Sequence, residues 1–148
     1  MSQEDQILYL PNNSEVEDLI DKAVSYKRNK MYDRANDIYD EASKEYGDSG
    51  LLFVAMAKNY ACQEYYDKAI SLLKRAKISA ESEKINASKE VKEYLETAIF
   101  NIEYHINNLE TLPRESTSFY DYIKSISGDP TYVFPSEIKK INLSVQEK

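Results

Sequence analysis

The residues able to do chemistry are few and scattered. His105 is the single histidine and Cys62 the single cysteine. A zinc or similar centre needs three or four His, Cys or carboxylate ligands at matched spacing, and neither residue has a companion of its own kind. No Glu-x-x-His motif ends at His105, so a carboxylate-bridged di-iron bundle lacks its ligand set. Lys58 stands one turn before Cys62, but nothing else near it in sequence would activate a thiolate. Cys62 therefore reads as a small buried residue, and His105 as a packing histidine. Asp33, Asp37, Asp40, Glu41 and Glu45 form an acidic stripe that reads as a solvated helix face. No Gly-rich phosphate loop is present. The expectation is a protein without catalysis, metal or cofactor.

Composition points the same way. The 148 residues are 42% hydrophobic and 30% charged, enough for one domain with a real core. A formal net charge of -7 argues against nonspecific phosphate binding, so no nucleic-acid partner is expected. The opening MSQEDQILYLP is acidic where a secretory signal is basic, and no stretch is apolar enough to span a bilayer. A lone cysteine fits a reducing compartment, cytoplasmic or nuclear.

The elements that would position these residues are helices. Residues 51–112 contain no Gly or Pro, while Pro113, Pro130 and Pro135 crowd the last quarter. Ser14 and Glu17 have capping-box spacing ahead of Leu19, Ile20, Ala23 and Val24. After the weak turn RNKMYD, Ala35, Ile38, Tyr39 and Ala42 recur at intervals of three and four. Gly47 is suited to a left-handed cap after this second helix. Leu51 to Ala57 is apolar nearly all round, which predicts a helix buried between neighbours. A fourth helix carries Ala69, Leu72, Leu73 and Ala76, and is followed by the short polar segment SAESEK. A long helix runs from about 86 to 110, FYDYIKSI suits one more short helix, and the segment beyond reads as extended because of its prolines.

MYDRANDIYDEA begins at residue 31 and YYDKAISLLKRA at residue 65, an offset of 34. At that offset Leu19 meets Phe53, Ala23 meets Ala57, Tyr26 meets Tyr60, Ala35 meets Ala69, Tyr39 meets Leu73 and Ala42 meets Ala76. Small residues coincide where helices must approach closely, and large ones where space must be filled. A third copy would need a small residue at Glu103 and a large apolar one at Asn107, so the long helix reads as a cap.

The period and the alternation resemble the tetratricopeptide repeat (TPR), a helix-turn-helix unit of 34 residues. In two respects the chain departs from that pattern: the small residue early in each first helix is Ala rather than Gly, and the closing proline is missing. The resemblance implies an all-α domain over residues 14–112, with repeats at about 16–49 and 50–83 and a capping helix at about 86–110. An extension over 1–13 would precede it, and a tail with an aromatic-rich, partly extended character would follow over 113–148.

The resemblance also implies a partner-binding groove lined by the first helix of each repeat. From the first repeat it assigns Glu17, Ile20, Val24, Lys27 and Arg28. From the second it assigns Leu51, Val54, Ala55, Lys58, Asn59 and Cys62. The apolar members would make a floor and Lys27, Arg28 and Lys58 a basic rim. Ile20, Val24 and Ala55 occupy positions where co-chaperones of this family carry the polar clamp for a heat-shock chaperone's C-terminal carboxylate, so that partner is not supported. A helical or extended apolar segment of another protein fits better. The chain itself contains two such segments, ILYLP and the tail with Phe119, Tyr120, Tyr122, Tyr132 and Phe134, and one of them is expected to pack on the helical core.

The functional expectation is a protein-protein interaction adaptor. Its rivals are a structural subunit of a larger complex, with homo-oligomers also open, and a microtubule-interacting-and-transport-like trafficking module. The second matched hairpin counts against the last of these.

Overall fold

A computed structural model of the chain describes residues 7–128. It is all-helical among those residues, with α1 at Glu15–Arg28, α2 at Tyr32–Tyr46 and α3 at Gly50–Cys62. α4 follows at Tyr66–Lys84, α5 at Lys89–Thr111 and α6 at Thr117–Ser127. α1 packs on α2, α3 on α4 and α4 on α5, while α3 also touches α1, α2 and α6. That central position explains why α3 carries no polar stripe: residues 50–55 are all buried, as are Ala57, Asn59 and Ala61.

The offset of 34 seen in the sequence recurs in the backbone. α1 ends at Arg28 and α2 begins at Tyr32; α3 ends at Cys62 and α4 begins at Tyr66. In the first turn the N–H groups of Asn29 and Met31 donate to Tyr26 O, and that of Lys30 to Lys27 O. In the second, Gln63 and Tyr65 donate to Tyr60 O, and Glu64 to Ala61 O. Lys30 at φ 63° and Glu64 at φ 68° are the non-glycine residues with positive φ among those described. Ala23, Ala35 and Ala42 are buried in the first hairpin, as are Ala57, Ala69 and Ala76 in the second. Small side chains at these paired places let the helix axes close up.

Several local expectations need correction. Ser14 has helical dihedrals (φ -66°, ψ -20°) and makes no side-chain cap bond. The cap is provided one residue earlier, where Asn13 Oδ1 accepts from the Glu15 N–H at 2.8 Å. Gly47 has φ 85° and ψ 168°, an extended turn at positive φ rather than a left-handed helical cap. SAESEK is helical, because α4 continues to Lys84. Ala80 lies in the core, and Glu83 is held by the segment before α1, so this stretch has tertiary partners that its polarity conceals. α5 starts at Lys89 rather than 86, with Ser88 Oγ accepting from the Val91 N–H at 3.4 Å.

The 23 residues of α5 span ~34 Å along the axis. Lys74–Glu110 (3.1 Å), Lys77–Glu103 (3.2 Å) and Lys84–Glu96 (3.9 Å) cross its seam with α4, the numbers rising on one helix as they fall on the other. The two helices are therefore antiparallel. These pairs are substantially exposed and add little to stability; the burial of Leu95, Ala98, Ile102 and Leu109 supplies the packing.

The N-terminal segment packs at the start of α3. Leu8 O and Tyr9 O accept from the N–H groups of Gly50 and Leu51, both at 2.9 Å, which satisfies two donors that a helix start leaves open. Ser49 Oγ accepts a third from Leu52 at 3.3 Å. Tyr9 is buried beside Tyr94, with ring centroids 6.3 Å apart. Glu83 Oε1 accepts from the backbone N–H groups of Tyr9 (2.8 Å) and Leu10 (3.1 Å). A Cβ at Gly50 would collide with Ser79 Oγ and the Tyr9 ring, so the close approach of these three segments requires glycine.

Candidate partner-binding face

The N-terminal segment straps the start of α3, and the other, C-terminal end of α3 is covered by α6. Its sequence explains its shape: Ser116 Oγ accepts from the Phe119 N–H at 3.1 Å to start the helix. Phe119, Tyr122 and Ile126 then fall at helical spacing on one buried stripe, with Ile123 half-buried beside them. Tyr120 points away and is 67% exposed.

Each buried side chain meets a defined partner. Phe119 stands edge-on to Tyr66 of α4, with centroids 5.2 Å apart and an interplanar angle of 77°. The Arg114 guanidinium lies over both rings, 4.4 Å from the Tyr66 centroid and 4.9 Å from that of Phe119. Arg114 also donates to Leu109 O, which ties the link to the end of α5. The Tyr122 hydroxyl lies 2.8 Å from His105 Nδ1, and its ring rests against His105 and Tyr104. Burial pushes the Tyr122 phenol upward, so it remains a neutral hydrogen-bonding group at physiological pH.

At the other end of α6, Lys27 Nζ donates to Ile126 O at 2.6 Å in a buried setting. A donor at this position satisfies a terminal carbonyl of the helix. The Tyr32 hydroxyl lies 3.3 Å from Ser127 Oγ. Cys62 is half-buried next to these groups. Burial raises its thiol pKa, and the opposing effects of Lys27 and a hydrogen bond with Ser127 do not reverse that. A thiol held protonated is poorly suited to act as a nucleophile.

The sequence-assigned groove residues divide accordingly. Ile20, Val24, Leu51, Val54 and Ala55 are buried, as are Glu17 and Lys27. Arg28 is exposed, and Lys58 and Cys62 are half-buried. Asn59 is turned toward α2, where its amide donates to Tyr32 O at 3.0 Å and Asn36 Oδ1 at 2.6 Å. Lys27 and Cys62 come together under the end of α6. The basic rim does not form as a set, since Lys27 is enclosed while Arg28 faces solvent. Tyr132 and Phe134 lie outside the described residues.

Several participants were not singled out from sequence. Arg114 and Ser127 carry no motif, and Tyr66 belongs to the repeated YYDKAISLLKRA stretch without a site role read from it. α6 itself falls on FYDYIKSI, the stretch expected to form one more short helix. Among the described residues, no group of three His, Cys, Asp or Glu could hold a metal ion, and no helix is long and apolar enough to cross a membrane.

Comparison with protein-family models, with curated proteins and with solved structures finds no match for this chain.

Proposed function

We propose that this chain is a non-catalytic protein-protein interaction adaptor of TPR-like construction, which receives a helix of a partner protein on the face of α1, α3 and α5. The observation that carries the reading is α6 itself: an amphipathic helix lies on that face, with its aromatic stripe inward and the Ile126 carbonyl at Lys27. A surface that accommodates one amphipathic helix has the apolar floor and terminal donor that another would need. The equal turns at Lys30 and Glu64 support the TPR-like assignment. The raised thiol of Cys62 supports the non-catalytic one. The acidic balance favours a protein partner over nucleic acid, and the lone cysteine favours cytoplasm or nucleus.

Crosslinking with mass spectrometry on the full chain captured with its native partner tests this. Crosslinks from partner to Lys58 or Lys124 are expected. Contacts confined to the acidic face of α2 would overturn the reading.

A second reading, a permanent subunit of a larger assembly, is favoured by Phe100 and Tyr104, which stand one turn apart on α5 at 72% and 54% exposure. Sedimentation discriminates: a monomer that remains soluble at high concentration supports the adaptor, and aggregation without a fixed partner supports the subunit.

A further inference from the structure

Building on that reading, we infer that α6 is a built-in occupant of the helix-receiving face and that its buried pattern specifies the partner. That partner is an amphipathic helix with an aromatic residue at its first anchor, tyrosine three residues on and an aliphatic residue four further on, running toward Lys27.

Each requirement follows from a contact. The first anchor must present a ring, because it meets Tyr66 and lies beneath Arg114. The second must be tyrosine, because His105 Nδ1 is paired with a hydroxyl that phenylalanine lacks. The third must be aliphatic, since Ile126 is 3% exposed and belongs to the hydrophobic core. Direction is set by the main chain: Lys27 donates to a carbonyl, and only the C-terminal turn of a helix presents carbonyls without internal partners. Lys27 therefore reads helix polarity whatever side chain stands there.

The same contacts make exchange feasible. α6 has 11 residues, shorter than the 12–15 or so that even favourable isolated helices need, so it depends on the face for its order. Among the described residues, only Phe119, Tyr122 and Ile126 of the buried core belong to it, while the rest of that core lies before residue 113. α1 to α5 therefore retain a continuous core when α6 leaves.

The test uses the full chain carrying Phe119→Ala and Ile126→Ala together, and separately the full chain carrying Ser125→Pro, which breaks α6 while leaving its anchors. A labelled, acetylated and amidated peptide of residues 115–128 is the probe. It should bind both variants at least about tenfold more tightly than the unaltered chain. Alanine at the peptide's three anchor positions should abolish binding, phenylalanine at the tyrosine should weaken it, and Lys27→Met in the receiving chain should weaken it too. Modification of Cys62 by a maleimide should accelerate in both variants and slow again when peptide is added.

Equal or absent peptide binding to variant and unaltered chains overturns the proposal. So does loss of the α1 to α5 helices in both variants by circular dichroism, since α6 would then be integral to the fold. Concentration-dependent dimers that exchange α6 would assign the face to a second copy of this chain and also overturn it. None of these outcomes depends on the native partner, whose crosslinks separately decide the adaptor reading.

Discussion

Lys27 and Ile126 are 99 residues apart in sequence and joined by a 2.6 Å hydrogen bond from a buried lysine Nζ to a helix-terminal carbonyl. This bond connects the end of the first hairpin's leading helix to the last turn of α6. It identifies a lysine whose charge would suggest exposure as part of the interior.

Replacing Lys27 with Met keeps the aliphatic stem and removes the donor. The expected cost is about 1–3 kcal/mol, because a buried carbonyl loses its partner. Hydrogen exchange should show the loss at the amides of α6, with α4 and α5 little changed. Uniform acceleration throughout the chain would contradict this localisation.

Gly50→Ala should destabilise the N-terminal strap by about 1–3 kcal/mol, since the added methyl meets Ser79 and the Tyr9 ring. Urea unfolding measures the cost. A second substitution, Ser79→Gly, should recover part of it by vacating one side of the collision.

Glu83 accepts two backbone hydrogen bonds, yet burial outweighs them and raises its carboxyl above the ordinary value of 4.5. A raised carboxyl pKa means that the folded state prefers the protonated form. Its contribution is therefore full below the unfolded-state pKa and declines as pH rises through the folded-state value. Glu83→Gln retains an oxygen acceptor for Tyr9 and Leu10 without a charge. Thermal melts should show the unaltered chain losing ground to the Gln variant as pH rises from about 4 toward neutrality. A gap between them that is independent of pH would exclude this linkage.

Lys30 and Glu64 hold equivalent positive-φ places in the two hairpin turns. Glycine at either place relieves a left-handed cost of about 1–2 kcal/mol and adds unfolded-state entropy worth about 0.5–1 kcal/mol. Each substitution should stabilise by up to about 1 kcal/mol, by similar amounts, and the double variant should sum them. Opposite signs at the two sites would show that the turns are not energetically equivalent.

The helices were legible because residues 51–112 lack breakers and the apolar residues keep helical spacing. The repeated turn was legible as well, through pairs such as Ala35 with Ala69. What remained hidden depended on contacts distant in sequence. SAESEK looks like a linker until Glu83 is seen holding Tyr9 and Leu10. Lys27 looks like a rim cation because a single charge gives no local sign of a carbonyl waiting across the fold. Asn59 was assigned to the groove by its place in the repeat, yet its amide satisfies acceptors on α2. The segment at Tyr9 and helix α6 both pack on the core, at opposite ends of α3, and their sequences alone could not choose between those ends.

Residues 112–116 are the entire connection between α5 and α6. A helix held on so short a leash meets its site at an effective concentration of millimolar order. A free competitor at micromolar levels must therefore bind about a thousandfold more strongly, about 4 kcal/mol, to take the place half the time. The link thus sets a threshold: scarce or poorly matched helices are turned away by mass action, with no change in the receiving surface.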